Sequence, residues 1–134
     1  MKSVGTGPGR KIIAVEQLYR AASISNAIVS IPAFLSYRRY VGVFSRGDDP
    51  NYPFLVRIWA GMALLWGASF WEIARDPVAR RDLVKYSWME KLVTSVCVLD
   101  AYRRGEVPLA LVVLVFGTDV AWIPPFIWAQ RTIS

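Results

Sequence analysis

The chain has 134 residues, of which 54% are hydrophobic, and its mean hydropathy is +0.34. Its apolar residues form four long blocks instead of alternating faces, which favours one membrane domain over a soluble bundle. Histidine is absent and Cys97 is the single cysteine, so the chain has no intrachain disulfide, no dithiol motif and no Ser/His/Asp or Cys/His apparatus.

The formal net charge is +6, a value that in a soluble protein would suggest a nucleic-acid partner. Here the positive charges lie mainly at the ends of the apolar blocks, where they meet lipid headgroups. The sequence contains no basic stripe with interleaved aromatic residues. We therefore expect membrane lipid as a partner and no nucleic acid.

Residues 1–10 are basic and rich in glycine, and we predict a mobile basic tail there. A domain of four transmembrane helices follows over residues 11–130. The first helix is predicted over residues 11–37, with Glu16 and Arg20 in its first turns and many small residues deeper in. Asn26 is expected near mid-membrane, facing the other helices, because a polar amide is costly in lipid.

A loop is predicted between the first helix and a second one over residues 53–74. Arg57 lies about one turn inside this second helix, so its side chain can extend to the headgroups. Trp71 lies near the opposite interface, which indole rings favour. With Trp122 and Trp128 of the last helix, these residues are predicted to be interfacial anchors.

The third and fourth helices are predicted over residues 83–102 and 107–129, joined by a link so short that they form an antiparallel hairpin. The third carries Glu90 and Lys91 and is the most polar of the four, so we expect it to pack against the other helices. The fourth carries Asp119 as its ionisable residue. Pro124 and Pro125 are expected to bend and end it.

Counting Lys and Arg gives eight on the side of the N-terminus and of the link between the second and third helices, against five on the other side. The positive-inside rule then places both termini in the cytoplasm. We predict a multi-pass protein of the bacterial inner membrane, an all-α antiparallel four-helix bundle.

Asp119 and Lys91 lie at similar depths on hairpin partners, so we predict that they meet, directly or through water. Glu90 points about 100° away from Lys91 and is expected to face Asn26 or Arg20. These five residues form either a neutralising cluster that fixes helix register, or part of a site for a proton or for the polar end of a quinone or lipid. The spacing of Asp and Glu matches no metal site, and no catalytic residue is predicted.

Several segments together resemble small bacterial membrane proteins of the DoxX-like kind. They are the Arg57-containing helix that ends in ARDP, the Glu90–Lys91 pair, the RGEVP link and Asp119, within residues 13–130. The resemblance implies a four-helix antiparallel bundle, and some DoxX relatives are subunits of quinone-linked sulfur oxidation. The lack of histidine and of paired cysteines argues against an independent redox role here.

Three functions remain open at this level. The first is a non-catalytic subunit that stabilises or assembles a larger respiratory or photosynthetic membrane complex. The second is a quinone- or lipid-binding protein of DoxX type, in which Asp119, Lys91 and Glu90 surround a pocket. A small transporter ranks last, because four helices leave little room for alternating access. We expect no independent enzymatic activity and no cofactor bound through His or Cys, and contact with a quinone, pigment or lipid is the alternative left open.

Overall fold

The computed structural model describes residues 7–46 and 51–134, and these are helical with no β-strand. Residues 1–6 of the predicted tail lie outside the described residues, and the first helix already begins at Pro8. The elements in chain order are α1 (Pro8–Leu35), α2 (Tyr37–Phe44), α3 (Tyr52–Arg75), α4 (Arg81–Arg103), α5 (Leu109–Thr118), a 3-10 turn (Val120–Trp122) and α6 (Ile123–Ile133).

Among the residues that the structure describes, three helical segments are long and apolar enough to cross a membrane: Gly9–Leu35, Tyr52–Arg75 and the continuous run Leu109–Ile133. The prediction of an all-helical chain with membrane-spanning segments is confirmed to this extent. The number differs, because four spans were predicted and α4 is not among the three. Glu90 and Lys91 in its middle and charges in its end turns keep α4 from qualifying by composition.

The helix α2 corrects the prediction of a loop between the first two spans. Its eight residues are amphipathic, with Arg38 and Arg39 exposed and Phe44 buried against α3. The ring centroids of Phe44 and Trp59 lie 4.8 Å apart in an edge-to-face arrangement. The sequence pattern does not predict this helix, because it is short and has a polar face and so forms no long apolar block.

The double proline was predicted to end the last helix, and this prediction is wrong. Pro124 and Pro125 occupy the first turn of α6, and this helix continues to Ile133. A proline is tolerated there because the amide groups of a first helical turn have no intrahelical acceptor. The break lies earlier, where α5 ends at Thr118 and Asp119 leads into the 3-10 turn.

The helices α1 and α3 form the closest pair and run antiparallel. Gly67 of α3 makes the approach possible, since a Cβ atom on it would lie 3.2 Å from Asn26 Cβ and 3.5 Å from the Ser23 carbonyl oxygen. Asn26 Nδ2 donates a hydrogen bond to the Ala63 carbonyl oxygen at 3.0 Å. This polar contact and the small residues fix the register of the two helices, as in other membrane helix pairs.

Two apolar clusters form the core, one toward each end of the helices. One is centred on the aromatic rings of Tyr19, Phe70 and Phe126, where the Tyr19 and Phe126 rings stack at 5.0 Å. The other contains Phe44, Val56, Val107, Leu111 and Val115. Five polar residues lie between these clusters, and we call them the polar layer: Asn26, Ser30, Lys91 and Asp119 are buried, and Glu90 is partly buried.

The helix α4 is more exposed than predicted. Because it is the most polar of the four, it was expected to pack against the other helices. It packs mainly along α6 and α5 and buries only a narrow stripe, Val84, Ser87 and Lys91. Hydrogen bonds anchor this stripe: Tyr19 donates to Ser87 Oγ at 3.1 Å, and Trp88 Nε1 donates to Gln130 Oε1 at 2.6 Å. The outward residues in its middle are apolar, namely Met89, Leu92, Val93 and Val96.

The contact at Gly67 gives a test of the packing of α1 on α3. In Gly67→Val the new side chain overlaps Asn26, and we expect the free energy of unfolding to fall by about 1–3 kcal/mol. Gly117→Val is the matched control, because a Cβ there meets nothing within 4 Å. Unfolding in mixed micelles, followed by circular dichroism, measures both; equal stability of the two variants would contradict this packing.

Candidate functional site

The polar layer is built around an ion pair between α4 and the break that follows α5. Lys91 Nζ lies 2.8 Å from Asp119 Oδ1, and the two side chains are only 4% and 7% exposed. The predicted meeting of Asp119 and Lys91 is therefore observed, as a direct contact. Asp119 caps the C-terminus of α5, where its N–H donates to the Val115 carbonyl oxygen, and the 3-10 turn begins at the next residue.

Glu90 approaches the same ammonium group from within α4. Its Oε2 lies 3.4 Å from Lys91 Nζ, a charge contact that lacks hydrogen-bond geometry, and this oxygen is buried without a hydrogen-bond partner. Lys91 Nζ also lies 5.7 Å from the centroid of the Phe70 ring. One base thus serves two carboxyl groups and an aromatic face.

The helix α1 contributes neutral polar groups to the layer. Asn26 is 8% exposed and uses its amide nitrogen to bind α3. Ser30 lies one turn further and is 1% exposed, and its Oγ has no hydrogen-bond partner. Ser30 was predicted only as one of the small residues that allow close helix packing, although its spacing of four residues from Asn26 places both on one helical face.

A small cavity of about 20 Å³ lies inside the polar layer. A cavity needs roughly 10–15 Å³ of such volume to hold one water molecule, so this one accepts a single water and no organic ligand. All five residues of the polar layer line it, together with Ser25, Val29, Trp59, Ala63 and Thr118.

A larger apolar cleft adjoins the polar layer through Trp59, which lines both spaces. Its volume is about 220 Å³, and it is bounded by α2, α3, α4 and α5. The cleft opens because α3 and α4 touch little. Its walls are mostly aliphatic and aromatic, with Thr94 on the side of Glu90; they are Phe44, Tyr52, Leu55, Val56, Trp59, Thr94, Val98, Leu111 and Val115.

Arg20 does not join the cluster to which the sequence assigned it. Its side chain is exposed and does not line the cavity, whereas its neighbour Tyr19 is fully buried. The helical periodicity explains the correction, because Val15, Tyr19, Ala22 and Asn26 form the inward stripe of α1 and Arg20 lies outside it.

Of the four predicted anchors, Arg57, Trp71 and Trp128 are exposed. Arg57 lies over two rings, with its guanidinium carbon 5.0 Å from the Phe34 centroid and 5.3 Å from that of Tyr37. Trp122 differs from the prediction, since it is half-buried and its ring stacks on Phe126 at 5.7 Å. The break after Asp119 turns this indole toward the core.

Within residues 7–46 and 51–134, no group of three or more His, Cys, Asp or Glu side chains is arranged to hold a metal ion. The arrangement can hold charge and bind a water molecule. No protein-family model, curated protein or solved structure matches the chain significantly. The function is therefore argued from the site itself.

The Lys91–Asp119 pair gives a test of the polar layer. Lys91→Met leaves buried carboxylates without a counter-charge, and we expect it to lower the free energy of unfolding by about 3–5 kcal/mol. Asp119→Asn alone should also lower the free energy of unfolding. In the double variant this free energy should fall by clearly less than the sum of the decreases in the two single variants.

Arg104→Gln is the control for that cycle, because it breaks the exposed Arg104–Asp100 pair. Removal of such a surface pair changes the free energy of unfolding by about 1 kcal/mol or less. Unfolding in mixed micelles gives all four values. Strict additivity of the Lys91 and Asp119 changes would show that the two side chains do not interact.

Proposed function

We propose that the protein is an antiparallel bundle of four membrane-spanning helices, with α4 as the fourth. Two features of α4 support this. Its outward middle face is apolar, and Lys91, its most buried charge, is paired with Asp119 instead of facing lipid. The remaining charges of α4, such as Asp82, Lys85 and Asp100, lie near its ends, where headgroups and water solvate them.

We infer that this bundle is a non-catalytic binding protein for an amphipathic small molecule, a quinone or a lipid. The observation that carries this inference is the apolar cleft of about 220 Å³ that shares Trp59 with the polar layer. A mostly apolar cleft with a few polar groups at one end is the usual form of a ligand site. The resemblance to DoxX-like proteins favours the same class of ligand.

The cleft and the polar layer would bind different parts of such a ligand. The cleft accepts a ring or chain between Tyr52, Val98 and Leu111, while the polar end meets Thr94 and the edge of the charged cluster. The polar layer itself is too small for more than water. The charged groups of the polar layer would therefore orient the ligand across Trp59, while the ligand itself stays in the cleft.

A subunit role in a larger respiratory or photosynthetic complex is the second candidate. The observation that favours it is an open apolar groove of about 500 Å³ on the outer face of α3 beside Phe34. Exposed apolar residues of α3 line this groove, among them Phe54, Ile58 and Met62, and a helix of a neighbouring subunit would cover them. In this interpretation the groove, and not the cleft, is the functional surface.

Cleft occupancy can be tested with a filled-cleft variant. Val98→Phe puts a ring into the cleft, whereas Val93→Phe puts the same ring on the outward face of α4, where Val93 is 63% exposed. We expect wild type and Val93→Phe to retain quinone or lipid after gentle purification, and Val98→Phe to retain about tenfold less, equivalent to about 1.4 kcal/mol.

Bound quinone and lipid are measured by extraction and mass spectrometry, at equal amounts of folded protein. Equal retention by both variants, or no ligand in wild type, would contradict the binding proposal. A stoichiometric protein partner that is lost in Met62→Trp, at an exposed residue of the groove, but kept in Val98→Phe would support the subunit role instead.

A further inference from the structure

The polar layer contains more acidic than basic groups. Glu90 and Asp119 supply two carboxyls and Lys91 one ammonium, so full ionisation leaves one net negative charge. No other titratable side chain lines the cavity from α1, α3, α4, α5 or the turn after it, in the part of the chain that the structure describes. An uncompensated charge between membrane helices is costly, so something positive must complete the layer.

The geometry distinguishes the two carboxyls. Asp119 is held at 2.8 Å by Lys91, the distance of a charge-assisted hydrogen bond. Glu90 has the longer 3.4 Å charge contact and also interacts with Thr94, but its buried Oε2 has no hydrogen-bond partner. Glu90 is therefore the carboxyl with an unused position for a proton.

A second and independent observation is Ser30. Its side chain is 1% exposed, its Oγ has no hydrogen-bond partner, and it lines the same cavity as Glu90 from the opposite helix. Two buried oxygens without partners therefore share a cavity of about 20 Å³, large enough for one water molecule. A water there can link the two oxygens: a protonated Glu90 carboxyl donates to the water, and the water donates to Ser30 Oγ.

We propose that the polar layer is a proton-binding site, in which Glu90 holds one exchangeable proton and a single water joins its carboxyl to Ser30 Oγ. A proton is favoured over a metal cation because the ammonium group of Lys91 lines the same cavity and repels a cation. The volume also leaves no room for the several ligands and waters of a hydrated ion. This inference holds whether or not the cleft binds a quinone or lipid.

Dicyclohexylcarbodiimide tests the proposal, because this apolar reagent adds to a protonated carboxyl and rearranges to a stable N-acylurea. We expect labelling of wild-type protein in lipid nanodiscs at Glu90, located by peptide mass spectrometry. The rate should fall about tenfold for each pH unit once the carboxyl loses its proton. Sodium ions should not protect, and Glu90→Gln should remove the label.

Glu72→Gln is the matched control, since Glu72 is exposed, paired with Arg75 and far along α3 from the cavity. It should keep the labelling at Glu90. Ser30→Ala should move the pH of half-maximal labelling downward by about half a unit to one unit, through loss of the water's acceptor. Ser69→Ala, which removes a hydroxyl bonded within its own helix, should not move it.

The wild-type measurement decides the proposal even if a variant fails to fold. Labelling at Asp119 in place of Glu90, no labelling of folded protein, or protection by sodium ions would each overturn it. An unchanged midpoint in Ser30→Ala would overturn the water link to that serine.

Discussion

The contact between Lys91 and Asp119 is the constraint on which the rest of the structure depends. It joins α4 to the last span at 2.8 Å, with both side chains almost fully buried. Without it, α4 would place an ammonium group against apolar neighbours, and the last span would hold a lone carboxylate. The contact lies at the break in the last span, because Asp119 is the residue that follows α5 and its N–H makes the final bond of that helix, to the Val115 carbonyl oxygen.

The polar layer divides the interior into two apolar clusters with different roles. The cluster around Tyr19, Phe70 and Phe126 is closely packed and joins α1, α3 and α6. The other, under α2, is looser and leaves the cleft beside Trp59. A closely packed aromatic half thus lies on one side of the charged residues, and a half with an open cleft lies on the other. This division is the physical basis for the proposed binding role and for a proton held on Glu90.

Much of this arrangement follows from the sequence, and its failures have physical causes. The long apolar blocks predict the spans, and the short link after α4 predicts that Lys91 and Asp119 face each other. The helix α2 was missed because an eight-residue amphipathic helix owes its stability to packing on α3, which periodicity alone does not reveal. The prolines at positions 124 and 125 were assigned to a helix end because the break before α6, which puts them in its first turn, is not visible in the apolar pattern. Arg20 was placed in the cluster from its depth, whereas the direction of its side chain excludes it.

The central claim is that this pairing lets α4 cross the membrane as a fourth span. Cysteines introduced at Ala79 and Arg104 in a Cys97→Ala background flank α4, and a thiol reagent that cannot cross the membrane reports their sides. If α4 spans the membrane, the two cysteines react from opposite sides. The double variant Lys91→Asp, Asp119→Lys should keep that pattern, whereas either reversal alone should disrupt it. Reaction of both cysteines from the same side in the otherwise native chain would contradict the account.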